Sequence, residues 1–283
     1  MHRWMLGSLR AVPVAGLLAV GLAAGPAARA AGSQYPGTWA KTGSMTTPRQ
    51  NQTAILLHNG QVLVIGGTST GPGAELYNPA TGKWAATGNP PSALPGATAA
   101  LLPDGQVLVA GGAAGFTATS GAELFTPATG TWAATGRMSF PRSGQLDGLL
   151  PDGQVLVVCG VDDPGVPACA AELYTPATGT WAQDGQAGPS ASRDFSAVLL
   201  GNGLVLFSGG ENGVYPRPTT VAGTASLFDP ATATSTGTGS MTIPRAFHTL
   251  TVLPDGQVLA AGGQTQNNKG QFSTTAGAEL YTP

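Results

Sequence analysis

The chain of 283 residues contains 43 Gly and 23 Pro, so turn-forming residues are abundant and a helical bundle is excluded. Only 9% of the residues are charged, whereas 42% are hydrophobic, and the formal net charge is −2. This balance excludes a basic nucleic-acid-binding surface and disfavours a partner attracted by charge alone.

Residues 1–30 have the pattern of a secretory signal peptide. A basic start with Arg3 and Arg10 precedes an apolar stretch from Ala11 to Ala24, and Ala28-Arg29-Ala30 has the small-x-small form of a cleavage site. We therefore expect cleavage after Ala30 and a secreted, extracellular product with no membrane span. The alternative is a retained membrane anchor, but the apolar stretch of 14 residues is short for a hydrocarbon core of about 30 Å.

One phrase occurs five times in the remaining chain, and its copies end in Gly at intervals of 45, 48, 50 and 53 residues. The copies are Asn59–Gly67, Asp104–Gly112, Asp152–Gly160, Asn202–Gly210 and Asp255–Gly263. A second phrase of the form Ala-Glu-Leu-Tyr or Ala-Glu-Leu-Phe follows each copy, although the fourth reads Ala225-Ser-Leu-Phe. In the first three repeats a Trp lies seven residues after the aromatic, whereas the fourth has Ser235 there. Such a period is typical of repeat architectures.

Each repeat contains four short segments separated by turn signals. In the second repeat, Pro103-Asp104-Gly105 and Pro127-Ala-Thr-Gly130 suit tight hairpins, and the segment Gln106 to Val109 suits a buried strand. Four antiparallel strands in every repeat predict an all-β propeller. The repeats span about 46–84, 85–132, 133–181, 182–235 and 236–283.

The Gly-Gly doublet after the second segment, and the aromatic spaced from a Trp, resemble the kelch motif over residues 35 to 283. The resemblance implies a kelch-type β-propeller over residues 31–283.

Thr38-Trp39-Ala40 matches a fourth strand, and the chain ends at Thr282-Pro283, where the next fourth strand should begin. We therefore expect five four-stranded blades, with residues 35–45 completing the last one. The alternative is a truncated reading frame.

Strand alternation predicts that the loops between blades and between second and third strands share one face, which we call the loop face. An arginine stands near the start of the inner strand in four repeats, and polar residues follow it. The candidate ligand-binding residues are Arg49, Gln52, Arg142, Gln145, Arg193, Arg245 and His248, with Tyr215, Arg217, Asn267 and Lys269 from the longer loops.

Two interpretations of the arginines remain open. In the structural one, the guanidinium groups satisfy carbonyl groups of the loops. In the functional one, they form a rim with the neighbouring amides for an acidic or hydroxylated ligand. Repeat two has Leu94 instead of Arg.

Cys159 and Cys169 flank one hairpin loop, and we predict a disulfide between them in an oxidising compartment.

Asp162 and Asp163 suit a weak Ca²⁺ site or a solvated loop tip.

The kelch resemblance also raises galactose oxidase and its relatives, secreted copper oxidases that need two His, two Tyr and a Cys at the metal. The mature chain has only His58 and His248, in different parts of the repeat. We therefore expect no cofactor, no metal and no catalytic group.

The sequence favours a secreted binding module for a protein, peptide or glycan, and an acidic ligand is favoured. The alternative is a degenerate or partial copper oxidase.

Overall fold

The computed structural model describes residues 39–67, 73–88, 90, 95–114, 117–162, 169–188, 192–212, 220–267 and 270–283. The predicted leader lies outside these residues. The described parts contain strands and turns but no helix, so the all-β prediction is confirmed.

Most strands belong to five antiparallel sheets, which we call blades 1 to 5 and whose strands are numbered in chain order. Blade 1 contains β1 (Thr53–Leu56), β2 (Val62–Ile65), β3 (Ala74–Asn78) and β4 (Lys83–Ala86). Blade 2 contains β5 (Ala97–Leu101), β6 (Val107–Gly111), β9 (Ala122–Thr126) and β10 (Thr131–Ala134). Blade 3 contains β12 (Leu146–Leu149), β13 (Val155–Val158), β15 (Ala170–Thr175) and β16 (Thr180–Gln186). Blade 4 contains β18 (Ser196–Leu199), β19 (Val205–Ser208), β22 (Ala225–Asp229) and β23 (Thr234–Thr238). Blade 5 contains β24 (Thr249–Val252), β25 (Val258–Ala261) and β28 (Ala278–Tyr281).

The remaining strands are short and lie in the connections on the loop face. They are β7 (Ala113–Ala114), β8 (Thr117–Ala118), β11 (Arg142–Ser143), β14 (Val161–Asp162), β17 (Ser192–Arg193), β20 (Glu211–Asn212), β21 (Thr220–Val221), β26 (Gln264–Gln266) and β27 (Phe272–Thr274). They pair with one another, as β11 does with β14 and β17 with β20, and extend the blades beyond their main strands.

The hairpin turn between the first two main strands has the same chemistry in each blade. In blade 2 the Asp104 carboxylate accepts a hydrogen bond from the backbone N–H of Gln106 at 2.9 Å, and Gly105 has a φ of +85°. Asp or Asn suits this position because its side chain closes the turn, and Gly adopts the left-handed φ without strain. The turn prediction is therefore confirmed.

The core is divided into four apolar clusters, one between each pair of consecutive blades. Leu63 and Val107 lie between blades 1 and 2, and Leu108 and Val155 lie between blades 2 and 3. Similar clusters join blade 3 to blade 4 and blade 4 to blade 5. The first strands of neighbouring blades lie side by side, as β1 and β5 do, so the blades are arranged in sequence with their first strands innermost.

No such cluster joins blade 5 to blade 1 among the described residues. Leu56 of blade 1 is 58% exposed and Leu280 of blade 5 is 56% exposed, so both terminal blades have an uncovered apolar face. Trp39 is 102% exposed, and blade 5 has three main strands in the described part of the chain. Closure would place Trp39 against Tyr281, as Trp84 lies against Tyr77 in blade 1, but Trp39 makes no such contact in this structure. Closure by residues 35–45 stays a prediction.

Candidate functional site

Three of the candidate arginines make the same set of contacts inside their own blades, which we call the arginine clamp. Arg142 Nη1 donates to the carbonyl oxygens of Cys159 and Ala170, and its Nη2 lies 2.7 Å from Glu172 Oε1. Arg49 and Arg245 repeat this arrangement with Glu75 and Glu279. The three guanidinium groups are buried, which supports the structural interpretation of the arginines.

The glutamate of each clamp also fixes the chain that enters its blade. Glu75 accepts hydrogen bonds from the backbone N–H groups of Thr46 and Thr47, and Glu279 accepts from those of Thr242 and Ile243. Burial alone raises the pKa of these carboxyl groups, but the hydrogen bonds outweigh it and lower the pKa below its usual value. Both carboxylates therefore stay ionised at neutral pH.

In blades 3 and 5 the residue three positions after the arginine joins its blade to the preceding one. Gln145 Nε2 donates to the carbonyl oxygen of Ala110 at 2.7 Å, and His248 Nε2 lies 2.9 Å from Ser208 Oγ. Burial, with the nearby Arg245 charge, lowers the pKa of His248 to about 4, so its ring is neutral. A place at the start of the inner strand would favour side chains that face the axis of the propeller, but Gln145 and His248 are buried between blades. Gln52 is exposed, because no described blade precedes blade 1.

The structure describes few of the other candidates. Tyr215, Arg217 and Lys269 lie outside the described residues, and Arg193 is described only as a backbone position in β17. Asn267 is exposed, and its side chain closes a turn by accepting from the backbone N–H of Gln271 at 3.0 Å. Ligand binding by these residues stays a prediction.

A position that the sequence reasoning missed lies one or two residues before the first main strand of each blade, 16 residues before the final Gly of the repeated phrase, and we call it the rim position. Its residue has a left-handed backbone in every blade, with φ of +55° to +77°. The five residues are Asn51, Gly96, Gly144, Asp194 and Phe247. Backbone hydrogen bonds join consecutive members, from Gly144 N to the Gly96 carbonyl oxygen at 2.8 Å and from Phe247 N to that of Asp194 at 2.9 Å.

Phe247 is the unusual member of this set. A left-handed backbone is uncommon for a bulky residue, whereas Asn and Asp tolerate it and Gly adopts it freely. The Phe247 side chain is 41% exposed, so it does not serve as a core residue. In the sequence this residue is marked only by its fixed place before the inner strand. The backbone angles show that this place is left-handed in every blade.

The predicted disulfide is present between Cys159 and Cys169. Cys159 replaces the first Gly of the doublet and adopts a similar left-handed backbone, with a φ of +58°. A disulfide fits an oxidising compartment. In the described residues there is also no helix long and apolar enough to cross a membrane.

The described residues contain no group of three or more His, Cys, Asp or Glu side chains that suits a metal ion. His58 is exposed in a hairpin turn opposite the loop face, and His248 is buried between blades. Asp163 lies outside the described residues, so the Ca²⁺ prediction stays untested.

Comparison with known proteins gives similarity of fold alone. No family model matches the chain, and no curated protein does. Among solved structures, the chain is similar to YjhT, a kelch-type propeller, with a TM-score of 0.57 and 16% identity over 82% of this chain and 81% of that one. It is also similar to a fungal alcohol oxidase of the AA5 family, in complex with copper, with a TM-score of 0.51 and 16% identity over 84% of this chain and 67% of that one. The fold is therefore related to these propellers.

Proposed function

We propose that the protein is a secreted carbohydrate-binding module whose ligand contacts the rim positions on the loop face. The observation that carries this proposal is the exposed Phe247 ring on a left-handed backbone. Strained backbone of this kind costs about 1–3 kcal/mol and is concentrated at functional sites. Because blades 2 and 3 have Gly at this position, the fold itself does not require a side chain there.

The charge balance of the protein supports an uncharged, hydroxylated ligand over the acidic one that the sequence favoured. The three described clamp arginines already bind glutamates, so their charge is compensated within each blade. The protein has few other charged residues and many hydroxyl and amide groups. An exposed aromatic ring offers a flat apolar surface for the CH groups of a sugar, and hydroxyl and amide groups are the usual partners for its hydroxyl groups.

The copper-oxidase alternative rests on similarity of fold, and fold does not determine function. A binding role is supported by the exposed Phe247 at the rim position of blade 5, on the loop face. The disulfide supports export, because such bonds persist in oxidising compartments.

A glycan array on the purified protein tests the proposal, followed by affinity measurements for the best ligand with two variants. Phe247→Gly removes the ring and relieves the backbone strain, so we expect an equal or higher melting temperature and an affinity at least about tenfold lower. The matched control is Ala233→Gly, which relieves a left-handed residue with a φ of +54° in the turn between β22 and β23, opposite the loop face. This control should leave affinity unchanged.

Two outcomes would contradict the proposal. Unchanged glycan affinity of Phe247→Gly would show that the rim is not the site. Binding to peptides on a parallel array, with no glycan bound, would show that the module recognises a peptide.

A further inference from the structure

Blade 4 departs from the other repeats at two neighbouring positions. Ser235 pairs with Phe228, whereas Tyr77, Phe125 and Tyr174 each pair with a Trp. Ser226, two residues before Phe228, replaces the glutamate of the other four repeats. Residues two apart on a strand point to the same side, so both replacements remove a large side chain from one face of the blade.

A groove of about 190 Å³ lies on this face. Its walls include the buried Phe207 ring, the hydroxyl-bearing Ser226 and Ser235, and Gly188 and Gly237. No atom lies within 4 Å of the point that a Cβ at Gly237 would occupy, so the strand leaves this side of the groove open. Cavities of about 150 Å³ with apolar walls bind a single aromatic ring.

Blades 1 and 3 show what kind of group fills the equivalent position. Trp84 packs against Tyr77 with the ring centres 5.0 Å apart and the planes tilted by 43°, and Trp84 Nε1 donates to the carbonyl oxygen of Gly43 at 2.8 Å. Trp181 packs against Tyr174 at a similar tilt and donates to the carbonyl oxygen of Gly136 at 2.9 Å. Each acceptor belongs to the linker that enters the blade.

Blade 4 retains an acceptor of this kind without the indole. Ser235 Oγ donates to the carbonyl oxygen of Ala187 at 2.7 Å, in the linker that enters blade 4. The groove therefore combines an aromatic wall with hydroxyl groups. Because Ser235 Oγ uses its proton on Ala187, its lone pairs are available to accept a hydrogen bond from a ring N–H in the groove.

We propose that this groove is a small-molecule site for a planar aromatic group with a ring N–H donor, the chemical class of indole. It lies on the outer strands β22 and β23, whereas Phe247 precedes the inner strand β24. The site is therefore independent of the carbohydrate site, and either proposal can fail without the other.

Titration with indole itself tests the site, followed by calorimetry and by the melting temperature. The wild-type protein should bind one equivalent saturably, and its melting temperature should rise with indole concentration. Ser235→Trp should raise the melting temperature in the absence of indole and abolish indole binding, because its own side chain fills the groove. The matched control Thr234→Trp places the same residue on the opposite face of β23 and should bind indole as the wild type does.

A second variant keeps the test decisive if Ser235→Trp does not fold. Gly237→Val directs a small apolar side chain into the groove and suits a strand, so it should also abolish binding. The proposal is overturned if the wild-type protein binds no indole at millimolar concentration. It is equally overturned if a folded Ser235→Trp or Gly237→Val protein binds indole as tightly as the wild type.

Discussion

Arg142 Nη2 lies 2.7 Å from Glu172 Oε1, and the two side chains are 2% and 0% exposed. A buried charge is tolerated only when a partner and hydrogen bonds compensate it. The Arg142 clamp supplies both, because two backbone carbonyl oxygens share the guanidinium with the carboxylate. The clamp should therefore contribute to the free energy of unfolding.

Arg142→Ala should lower the free energy of unfolding by about 3–5 kcal/mol, because it leaves the buried Glu172 carboxylate without its counter-charge. Chemical denaturation measures this loss. Arg137→Ala is the matched control, since Arg137 is exposed, and its free energy of unfolding should stay within about 0.5 kcal/mol of the wild type. A folded Arg142→Ala protein of wild-type stability that had lost a ligand would support the functional interpretation of the arginine instead.

Asp147 should make stability depend on pH. It lines a cavity of about 20 Å³ with Leu156 and Val205, large enough for one water molecule. Burial raises its pKa from 3.8 to about 7, against a hydrogen bond from its own backbone. The folded state therefore favours the protonated form, and the free energy of unfolding should fall as pH rises from about 4 through about 7.

Asp147→Asn should accordingly raise the melting temperature at pH 8 by at least about 2–4 °C, the shift produced by about 1 kcal/mol, and by much less at pH 4. Asp152→Asn is the control, because Asn59 and Asn202 close the equivalent turns and accept the same hydrogen bond. A pH-independent effect of Asp147→Asn would show that its carboxyl group titrates normally.

The seam between blades 5 and 1 gives a third prediction. Residues 37–43 match the fourth-strand sequence 130–136 at every position except Lys41. In blades 2 and 3 the Ala after the Trp of this strand pairs with a Leu, as Ala133 does with Leu124. We therefore expect Ala40 to pair with Leu280 when the N-terminal strand moves onto β28.

The double variant Ala40→Cys with Leu280→Cys should then form an intramolecular disulfide, seen as a monomer with faster migration before reduction. Ala85→Cys with Leu280→Cys is the control, because Ala85 already pairs with Leu76 in blade 1. Cross-linked dimers would indicate that a second copy supplies the strand. Absence of any cross-link would favour the truncated reading frame.

The strands and their hairpin turns could be predicted because the same sequence pattern recurs in every repeat. The disulfide followed from two Cys flanking one loop. The clamp was harder to see, because repeat two has Glu123 without the arginine and repeat four has Arg193 with Ser226. The proposal for Phe247 depends on a backbone angle that the repeat pattern does not reveal, since Gly, Asn, Asp and Phe share the position. Ser235 was visible as an exception, but the groove beside it is a property of the packed strands.

The contacts of the arginine clamp have a consequence for how this chain can change in evolution. The side chain of Arg142 bonds only to groups of blade 3 in the contacts described above, and those of Arg49 and Arg245 do the same in blades 1 and 5. A duplicated or deleted repeat would therefore keep both partners of its buried arginine–glutamate pair. The apolar faces, the side chains between blades such as Gln145 and His248, and the backbone hydrogen bonds of the rim would have to meet a new neighbour, whereas the buried ion pair would not.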